Sequence, residues 1–290
     1  MMKVLRVPYG HPDSPKLFCE SLKNSGFAVV SNHPISHTLI NEVFAEWAKW
    51  FQGEEKFKYV FDTKTQEGYF PFKTENAKGF KQKDLKEFFH LYVKTKTPSG
   101  LGPKTRELFD GMQALAKELL TWIQTSSPKE VSARFSMPLT DMTLNSEETL
   151  MRILHYPPLN DGHEEGAIRA AAHEDINLIT LLPAATAPGL QVKDLNGNWI
   201  SVECNPGDMV INAGDMLQEA SGGYYISTTH QVVNPNGPEA KLPRYSMPVF
   251  IHPRFNVKLS DRYSAGSYLD QRLREIGLLK PNETKFTPLD

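Results

Sequence analysis

The sequence predicts a mainly β protein with flanking helices, in which a mixed N-terminal module precedes a sandwich or jelly roll. Apolar residues recur at helical spacing up to about residue 125, whereas from Leu150 onward short apolar runs alternate with turn residues. The chain has 290 residues, of which 40% are hydrophobic, so it can bury a large core. We predict an N-terminal module over residues 1–102. The core region, residues 103–290, would begin with a long supporting helix and end with a C-terminal helix.

Caps and apolar spacing predict three helices in the first half of the chain. The first follows Ser14-Pro15 and stops at Gly26, because proline suits the first helical turn and glycine suits the position after the last. The second covers about 36–52 and the third about 104–125, each with an apolar stripe along one face. The other N-terminal elements are expected to be a buried strand at 27–30 and loops around short strands at 63–102.

Turn residues divide the second half into short strands. Asn196-Gly197 separates two apolar runs and predicts a tight hairpin, since both residues tolerate positive φ. Further strands are expected at 209–211, 224–233 and 245–251. A last amphipathic helix is expected at about 267–277.

The charge and cysteine content exclude several classes of protein. The 32 Lys and Arg residues against 34 Asp and Glu give a net charge of -2, so there is no basic excess for a nucleic acid. No apolar run reaches the roughly 18 residues of a membrane span. Two cysteines, Cys19 and Cys204, cannot form a disulfide framework or a four-thiolate metal site. We therefore expect a cytoplasmic protein without a nucleic-acid or membrane partner.

The first chemical signal is His173-Glu174-Asp175, whose imidazole and carboxylate would share one face of a strand. Small residues precede the pair and an apolar run follows it, which indicates a strand that enters a buried barrel with polar groups at its mouth. The same spacing occurs in His11-Pro12-Asp13, but there it lies in an expected loop before a helix cap. We therefore favour His173 and Asp175 as metal ligands.

A third ligand is expected from a distant strand, because a jelly roll brings such strands together. His230 lies in a β-branched stretch and is the candidate. Two imidazoles and one carboxylate would leave open metal positions, which is typical of non-haem iron(II) oxygenases. The ligand types alone leave zinc and manganese open. His163 is flanked by acidic residues in an expected exposed turn, and we do not predict it to be a ligand.

Arg244-Tyr245-Ser246 is a candidate receptor for a carboxylate. On a strand, its guanidinium fork and hydroxyl would project from the same face. The pattern is not unique, because Arg262-Tyr263-Ser264 repeats it and Arg134-Phe135-Ser136 fits it. We favour Arg244 because an apolar strand follows it and His230 lies 14 residues upstream.

These residues stand within longer segments that share the pattern of a known family. The segments are Gly26 to Ile35, Gly68-Tyr69, Asp84 to Phe88, Ile211 to Gln218, Ser221 to Gly223, Ser227 to Val233 and Arg244 to Pro248. The sequence resembles the isopenicillin N synthase-like group of iron(II)/2-oxoglutarate-dependent oxygenases, also called the iron/ascorbate oxidoreductase family. The resemblance covers about residues 3–255.

The resemblance implies a double-stranded β-helix, which is a distorted jelly roll, for the core. It implies that O2 and 2-oxoglutarate oxidise a small organic substrate by hydroxylation, desaturation or ring closure, with release of succinate and CO2. It also allows ascorbate as an auxiliary reductant. The site residues that it implies are His173, Asp175 and His230 as iron(II) ligands, Arg244 and Ser246 as the clamp for the distal carboxylate of 2-oxoglutarate, and Tyr156 as a further contact with that co-substrate.

The sequence departs from the family pattern near the expected site. Leu154 and His155 stand where Asn and Tyr are frequent, and Gln231 stands where arginine is common. The segment 234–243 is longer than usual. These departures lie close to the expected binding site of the co-substrate.

Two other functions are left open by the residues. One is an iron oxidase of the same fold that does not use 2-oxoglutarate, and the other is a non-catalytic jelly roll that binds a metal or ligand. The prime substrate is not indicated. Its pocket is expected to involve the N-terminal module, the segment 73–83 and Phe250.

Overall fold

The computed structural model of the protein describes residues 2–75, 82–159, 168–275, 277 and 279–285. The α-helices in these residues are α1 (Ser14–Ser25), α2 (His37–Gln52), α3 (Lys104–Ser126), α4 (Lys129–Ser132), α5 (Leu139–Thr143), α6 (Asp215–Ala220) and α7 (Ala265–Glu275). Within the described ranges, no helix has the length and apolar character needed to cross a bilayer.

The strands are short, and most of them lie in the second half of the chain. They are β1 (Leu5–Pro8), β2 (Phe27–Ser31), β3 (Gly68–Phe70), β4 (Glu87–Tyr92), β5 (Leu150–Tyr156), β6 (Ala170–His173), β7 (Ile179–Pro183), β8 (Leu190–Lys193), β9 (Trp199–Ser201), β10 (Met209–Ala213), β11 (His230–Val232), β12 (Arg244–Ser246) and β13 (Val249–Ile251).

These strands form two sheets. The larger sheet has the order β1-β2-β10-β7-β13-β5-β4-β3, with β12 also paired to β5, and the smaller has the order β6-β11-β8-β9. Apolar side chains of both sheets pack together, for example Val29 and Val210 of the larger against Val192 of the smaller. This arrangement confirms the predicted mainly β fold with a jelly-roll core.

Strands from the N-terminal region belong to the larger sheet. β2 pairs with β10, and β4 pairs with β5 over its whole length. The sheet therefore extends across the predicted boundary between residues 102 and 103, and the division into two units stays a prediction.

Helices α1, α2 and α3 cover the outer face of the larger sheet. Trp47 of α2 lies with its ring centroid 5.2 Å from that of Phe89 on β4, and its indole N–H donates to Thr105 Oγ1 of α3 at 3.0 Å. The apolar stripe predicted for α3 is buried, from Leu108 to Ile123. Because the helices occupy the outer face, the inner face of the larger sheet is left to meet the smaller sheet.

Several predicted local features are confirmed. Gly26 ends α1 with φ of 72°, and the Ser36 side chain accepts a hydrogen bond from Leu39 N at the start of α2. Gly197, with φ of 87°, closes the β8–β9 hairpin. The last helix begins at Ala265, two residues before the predicted start. The backbone N–H groups of its first two residues donate to the carbonyl oxygens of Val257 and Phe255, which stabilises this earlier start.

Two predicted strands are wrong in extent. Only His230–Val232 of the predicted strand 224–233 pairs in a sheet, because side chains bind the backbone N–H groups before it: Ser221 Oγ accepts from Tyr225 N, and Gln218 Oε1 accepts from Ser227 N. The predicted strand 245–251 is divided into β12 and β13 at Pro248, which has no N–H for a ladder. Helix α6 was not predicted.

Candidate active site

Three side chains that can ligate a metal converge at the edge of the smaller sheet. His173 ends β6 and His230 begins β11, and the two residues are direct partners in the antiparallel ladder. Nε2 of each imidazole lies 3.8 Å from Asp175 Oδ1. Asp175 lies two residues beyond the end of β6, so its carboxylate reaches His173 from irregular backbone outside the strand and not by the predicted strand alternation.

The remaining polar atoms of these three residues are held by the protein. Nδ1 of His173 is 2.8 Å from Ala171 O, and Nδ1 of His230 is 3.1 Å from Thr228 O, so both imidazoles have Nε2 free. Asp175 Oδ2 accepts hydrogen bonds from two further residues, Thr180 and Asn212. Partners of this kind fix the orientation of metal-binding side chains and leave one donor atom on each.

The protonation states also suit a divalent cation. Desolvation of its ring at the barrel wall, with a contribution from His230, lowers the pKa of His173 to about 4 although part of the side chain is exposed, so its imidazole is neutral. Burial alone would raise the pKa of Asp175, but the two imidazoles and the hydrogen bonds to its carboxylate keep that pKa below its usual value. Neutral imidazole and ionised carboxylate are the forms that bind a metal, and the set fits iron(II).

A buried arginine lies on the neighbouring wall of the barrel. In the ladder of β12 with β5, Arg244 stands opposite Tyr156 and Ser246 stands opposite Leu154. The guanidinium carbon of Arg244 is 5.1 Å from the Tyr156 ring centroid, and its Nε donates to Ala187 O at 2.9 Å. Its Nη1 is buried without a hydrogen-bond partner in the described part of the chain. A buried guanidinium with a free donor fits the distal carboxylate of a keto acid.

A second buried arginine, Arg169, was missed by the sequence prediction. It precedes β6, and its guanidinium carbon lies 5.9 Å from the ring of Tyr156, the residue that Arg244 also contacts. Nη2 donates to Leu242 O at 3.2 Å, whereas Nε and Nη1 are buried without partners among the residues described. The available signal was an arginine four residues before His173 in a segment already expected to enter the barrel.

The sequence matches two family models. The 2OG-Fe(II) oxygenase superfamily model matches residues 147–253, and the N-terminal model of the non-haem dioxygenases in morphine synthesis matches residues 14–116. A 2-oxoglutarate-Fe(II) type oxidoreductase of Aspergillus fumigatus is 28% identical over 277 residues, which are 84% of this chain and 79% of that protein.

Solved structures extend the similarity over nearly the whole chain. A Shewanella oneidensis protein assigned as an oxygenase is 48% identical with a TM-score of 0.87, and the match covers 96% of this chain and 100% of that one. The chain belongs to the 2-oxoglutarate–iron(II) oxygenase superfamily. A Caulobacter crescentus protein assigned to the same family is 28% identical with a TM-score of 0.78, over 95% of this chain and 100% of that one.

The protein is therefore an iron(II)- and 2-oxoglutarate-dependent dioxygenase with a double-stranded β-helix core. It oxidises a small organic substrate with O2. The two other functions that the residues left open, an oxidase without 2-oxoglutarate and a non-catalytic binding module, are not favoured by the relatives.

A charged cluster lines another part of the oxygenase barrel. Lys86 Nζ lies 2.8 Å from Asp84 and 2.9 Å from Glu75, and Arg152 Nη1 lies 3.2 Å from Glu75. Burial would raise the pKa of Glu75, but Arg152 and Lys86 hold it well below its usual value. Asp84 also accepts a hydrogen bond from Ala171 N at 3.1 Å, so the cluster is tied to the strand that carries His173.

His155 points away from the barrel interior. It alternates with Leu154 and Tyr156 on β5, and its Nδ1 lies 2.6 Å from Glu87 Oε1. Its ring stacks on Tyr245 with centroids 4.8 Å apart. The departure at His155 therefore belongs to the layer between the sheet and α2, whereas the departure at Leu154 lies inside the barrel.

The other described residues that were weighed from the sequence are not among the three convergent side chains. His11 is exposed, Gln231 bonds to Gln191 at 2.9 Å, and the segment 234–243 includes a short 3-10 helix, Gly237–Lys241. Arg262 is 73% exposed and pairs with Glu219. Arg134 lines a surface cavity of about 730 Å³ together with Arg262. His163 lies outside the described residues, and the segment 73–83 is described only in part.

Proposed function

We propose that His173, Asp175 and His230 hold the iron(II) of this oxygenase. The observation that carries the proposal is the convergence of one free atom from each residue, all within 4.8 Å of one another. The second nitrogen of each imidazole and the second carboxylate oxygen are already bonded to the protein. Three ligands on one side would leave the opposite side for 2-oxoglutarate and O2.

We further propose that Arg244, Ser246 and Tyr156 bind the distal carboxylate of 2-oxoglutarate, and that Arg169 adds a second positive charge. Buried guanidinium N–H groups without acceptors are costly, so their retention is explained by an anionic ligand that satisfies them. Arg244 and Arg169 both have such groups. Burial lowers the pKa of both arginines, and a carboxylate between them would offset that cost.

When bound, iron(II) and 2-oxoglutarate supply the oxidising power from O2, and succinate and CO2 are released. The residues around them have the tasks of orientation and shielding. The ring of Phe27 lies edge-on to His230 with centroids 5.4 Å apart, and Val232 and Ala170 add buried apolar surface on the two strands that carry the imidazoles. The His173 side chain is 40% exposed, so the site stays open on that side for a small substrate. Hydroxylation, desaturation and ring closure are all compatible with this arrangement.

An anaerobic titration tests both assignments. Metal-free protein receives iron(II) and then 2-oxoglutarate, and the charge-transfer absorption of the chelate is recorded. We expect a saturable band in the wild-type protein, no band in His230→Ala, and a weaker 2-oxoglutarate affinity in Arg169→Met. An unchanged band in His230→Ala would contradict the ligand assignment, and an unchanged affinity in Arg169→Met would remove that residue from the co-substrate site.

Turnover provides a separate test of the reaction. With O2 and a panel of small organic substrates, we expect succinate to form with the consumption of O2. Oxygen consumption without succinate under every substrate would contradict the use of 2-oxoglutarate.

A further inference from the structure

Arg152 lies on the inner wall of the barrel beside the site. On β5 it alternates with Ile153 and therefore shares a face with Leu154 and Tyr156, whose side chains line the interior. Tyr156 contacts Arg244 on the same wall. The Arg152 side chain is 22% exposed, so part of it is accessible from the barrel.

Aromatic rings flank the Arg152 guanidinium and connect it with the metal-binding residues. Its central carbon lies 4.5 Å from the Phe88 ring centroid and 5.6 Å from that of Phe250. Phe250 stands opposite Thr180 in the β13–β7 ladder, and Thr180 donates to Asp175. The guanidinium is therefore separated from an iron ligand by two neighbouring side chains along the wall.

The hydrogen bonds of Arg152 leave one nitrogen free. Nε donates to His90 Nε2 at 2.8 Å, and Nη1 donates to Glu75 Oε2 at 3.2 Å. Nη2 has no acceptor among the residues that the structure describes, and it is accessible to solvent. Arg152 thus presents N–H donors in a fixed plane, held by two protein partners and by the ring of Phe88.

The charges next to Arg152 are paired with one another among the described residues. Glu75 compensates Arg152, and Asp84 compensates Lys86, at distances of 3.2 and 2.8 Å. Burial lowers the pKa of His90 far below its usual value, so His90 is neutral. A negatively charged ligand beside Arg152 would lose its hydration without meeting an unpaired cation among these described neighbours, whereas a neutral acceptor would lose much less.

We infer that this wall binds the substrate that is oxidised, and that the substrate is an uncharged, flat molecule with a carbonyl oxygen. The carbonyl would accept hydrogen bonds from Arg152 Nη2, and the flat face would lie against Phe250. This inference rests on the proposed function, because the bound substrate can be oxidised only if the residues along the same wall hold the iron. Arg152 and Phe250 are then specificity-determining residues.

The test measures binding to the metal-free protein, so it does not depend on the iron or 2-oxoglutarate assignments. The probes are 2-pyridone, a flat neutral cyclic amide, and benzoate, a flat anion of similar size, each titrated by ligand-observed NMR. We expect wild-type protein to bind 2-pyridone more tightly than benzoate. Arg152→Met should weaken 2-pyridone binding at least about tenfold, since it removes hydrogen bonds from a charged donor.

Two further variants separate recognition from folding. Arg152→Lys keeps the charge beside Glu75 but loses the planar fork, and Phe250→Leu keeps an apolar side chain but loses the flat ring. We expect both to weaken 2-pyridone binding while the melting temperature stays near that of the wild type. Arg262→Met, on the exposed surface, is the matched control and should leave the titration unchanged.

Three results would overturn the inference. The first is an absence of saturable 2-pyridone binding up to about 10 mM, the range expected for so small a ligand. The second is an unchanged affinity for 2-pyridone in folded Arg152→Lys and Arg152→Met. The third is binding of benzoate that is tighter than that of 2-pyridone and depends on Arg152. The last result would assign an anionic substrate instead. If the chelate band of the wild-type protein fails to form, the proposed function fails, and the probe titration still reports on this wall independently.

Discussion

On the surface, His11 Nδ1 lies 3.8 Å from Asp13 Oδ2. In the barrel, His173 Nε2 lies at the same distance from Asp175 Oδ1. The two pairs share the His-x-Asp spacing and differ in their surroundings. Both side chains of the surface pair are exposed, and within the described ranges no further ligand converges on it. The interior carboxylate is buried, receives hydrogen bonds from Thr180 and Asn212, and meets a second imidazole from another strand.

The two Arg-Tyr-Ser segments differ in the same way. Arg244 is buried and keeps an unpartnered donor, whereas Arg262 is 73% exposed and bonds to both carboxylate oxygens of Glu219. Because the Glu219 carboxylate already accepts the hydrogen bonds of Arg262, few of its N–H donors are available for a ligand. The difference teaches that function at these motifs depends on which donor atoms the fold leaves free in a buried place.

The largest difference between interior and surface is expected for iron binding. Asp175→Ala should abolish stoichiometric iron, because it removes the only carboxylate among the three convergent ligands. Asp13→Ala should retain the iron of the wild type. Metal analysis of the purified proteins after anaerobic loading measures both, and iron retained in Asp175→Ala would remove the distinction between the two pairs.

Buried and exposed ion pairs should differ in stability. Glu75→Gln should lower the free energy of unfolding by about 3 kcal/mol at neutral pH, because it leaves Arg152 and Lys86 with one carboxylate between them. Asp261→Asn, in an exposed pair with Lys258, should have no measurable effect. Urea unfolding of each variant gives these values.

The effect of Glu75→Gln should also depend on pH. The folded-state pKa of Glu75 is held below its ordinary value of 4.5, so the stabilisation by its charge is complete above that pH and is lost as the pH falls through the folded-state value. The difference between the variant and the wild type should therefore shrink on acidification. A difference that stays constant from neutral pH down to about pH 3 would show that charge does not cause it.

A smaller effect is expected at the arginines. Arg244→Leu should weaken 2-oxoglutarate binding by about 1.5–3 kcal/mol, or roughly 10- to 150-fold, the range for a hydrogen bond to a charged group. Arg262→Leu should leave the affinity as it is. The anaerobic chelate titration measures both, with the melting temperature as a folding control, and a large loss in Arg262→Leu would reverse the choice between the two segments.

The smallest effect is expected at the serines of the same segments. Ser246→Ala should weaken 2-oxoglutarate binding by about 1 kcal/mol, roughly fivefold, because a neutral hydroxyl contributes less than a guanidinium. Ser264→Ala, on the surface, should change nothing in the same titration. Equal affinities in Ser246→Ala and the wild type would limit the carboxylate site to the arginines and Tyr156.

Local chemistry made much of the fold predictable. Gly26 and Ser36 mark helix ends because their backbone conformation or side chain satisfies the terminal groups, and Asn196-Gly197 marks a hairpin because it tolerates the required φ. The strand boundaries near Ser227 and Pro248 were missed. Near Ser227, side chains four and nine residues upstream take backbone N–H groups that the strand would need, and at Pro248 there is no N–H.

The sequence alone determined the class of the protein: the period of its apolar residues, the resemblance to the oxygenase family, and the residue types able to ligate iron(II). Only the tertiary structure decided which copy of each motif is buried, that Asp175 meets His173 from outside the strand, and that Arg169 joins Arg244 beside Tyr156. The physical reason is that donor atoms acquire their chemistry from desolvation and from partners in other strands. Such neighbours are set by packing and not by spacing along the chain.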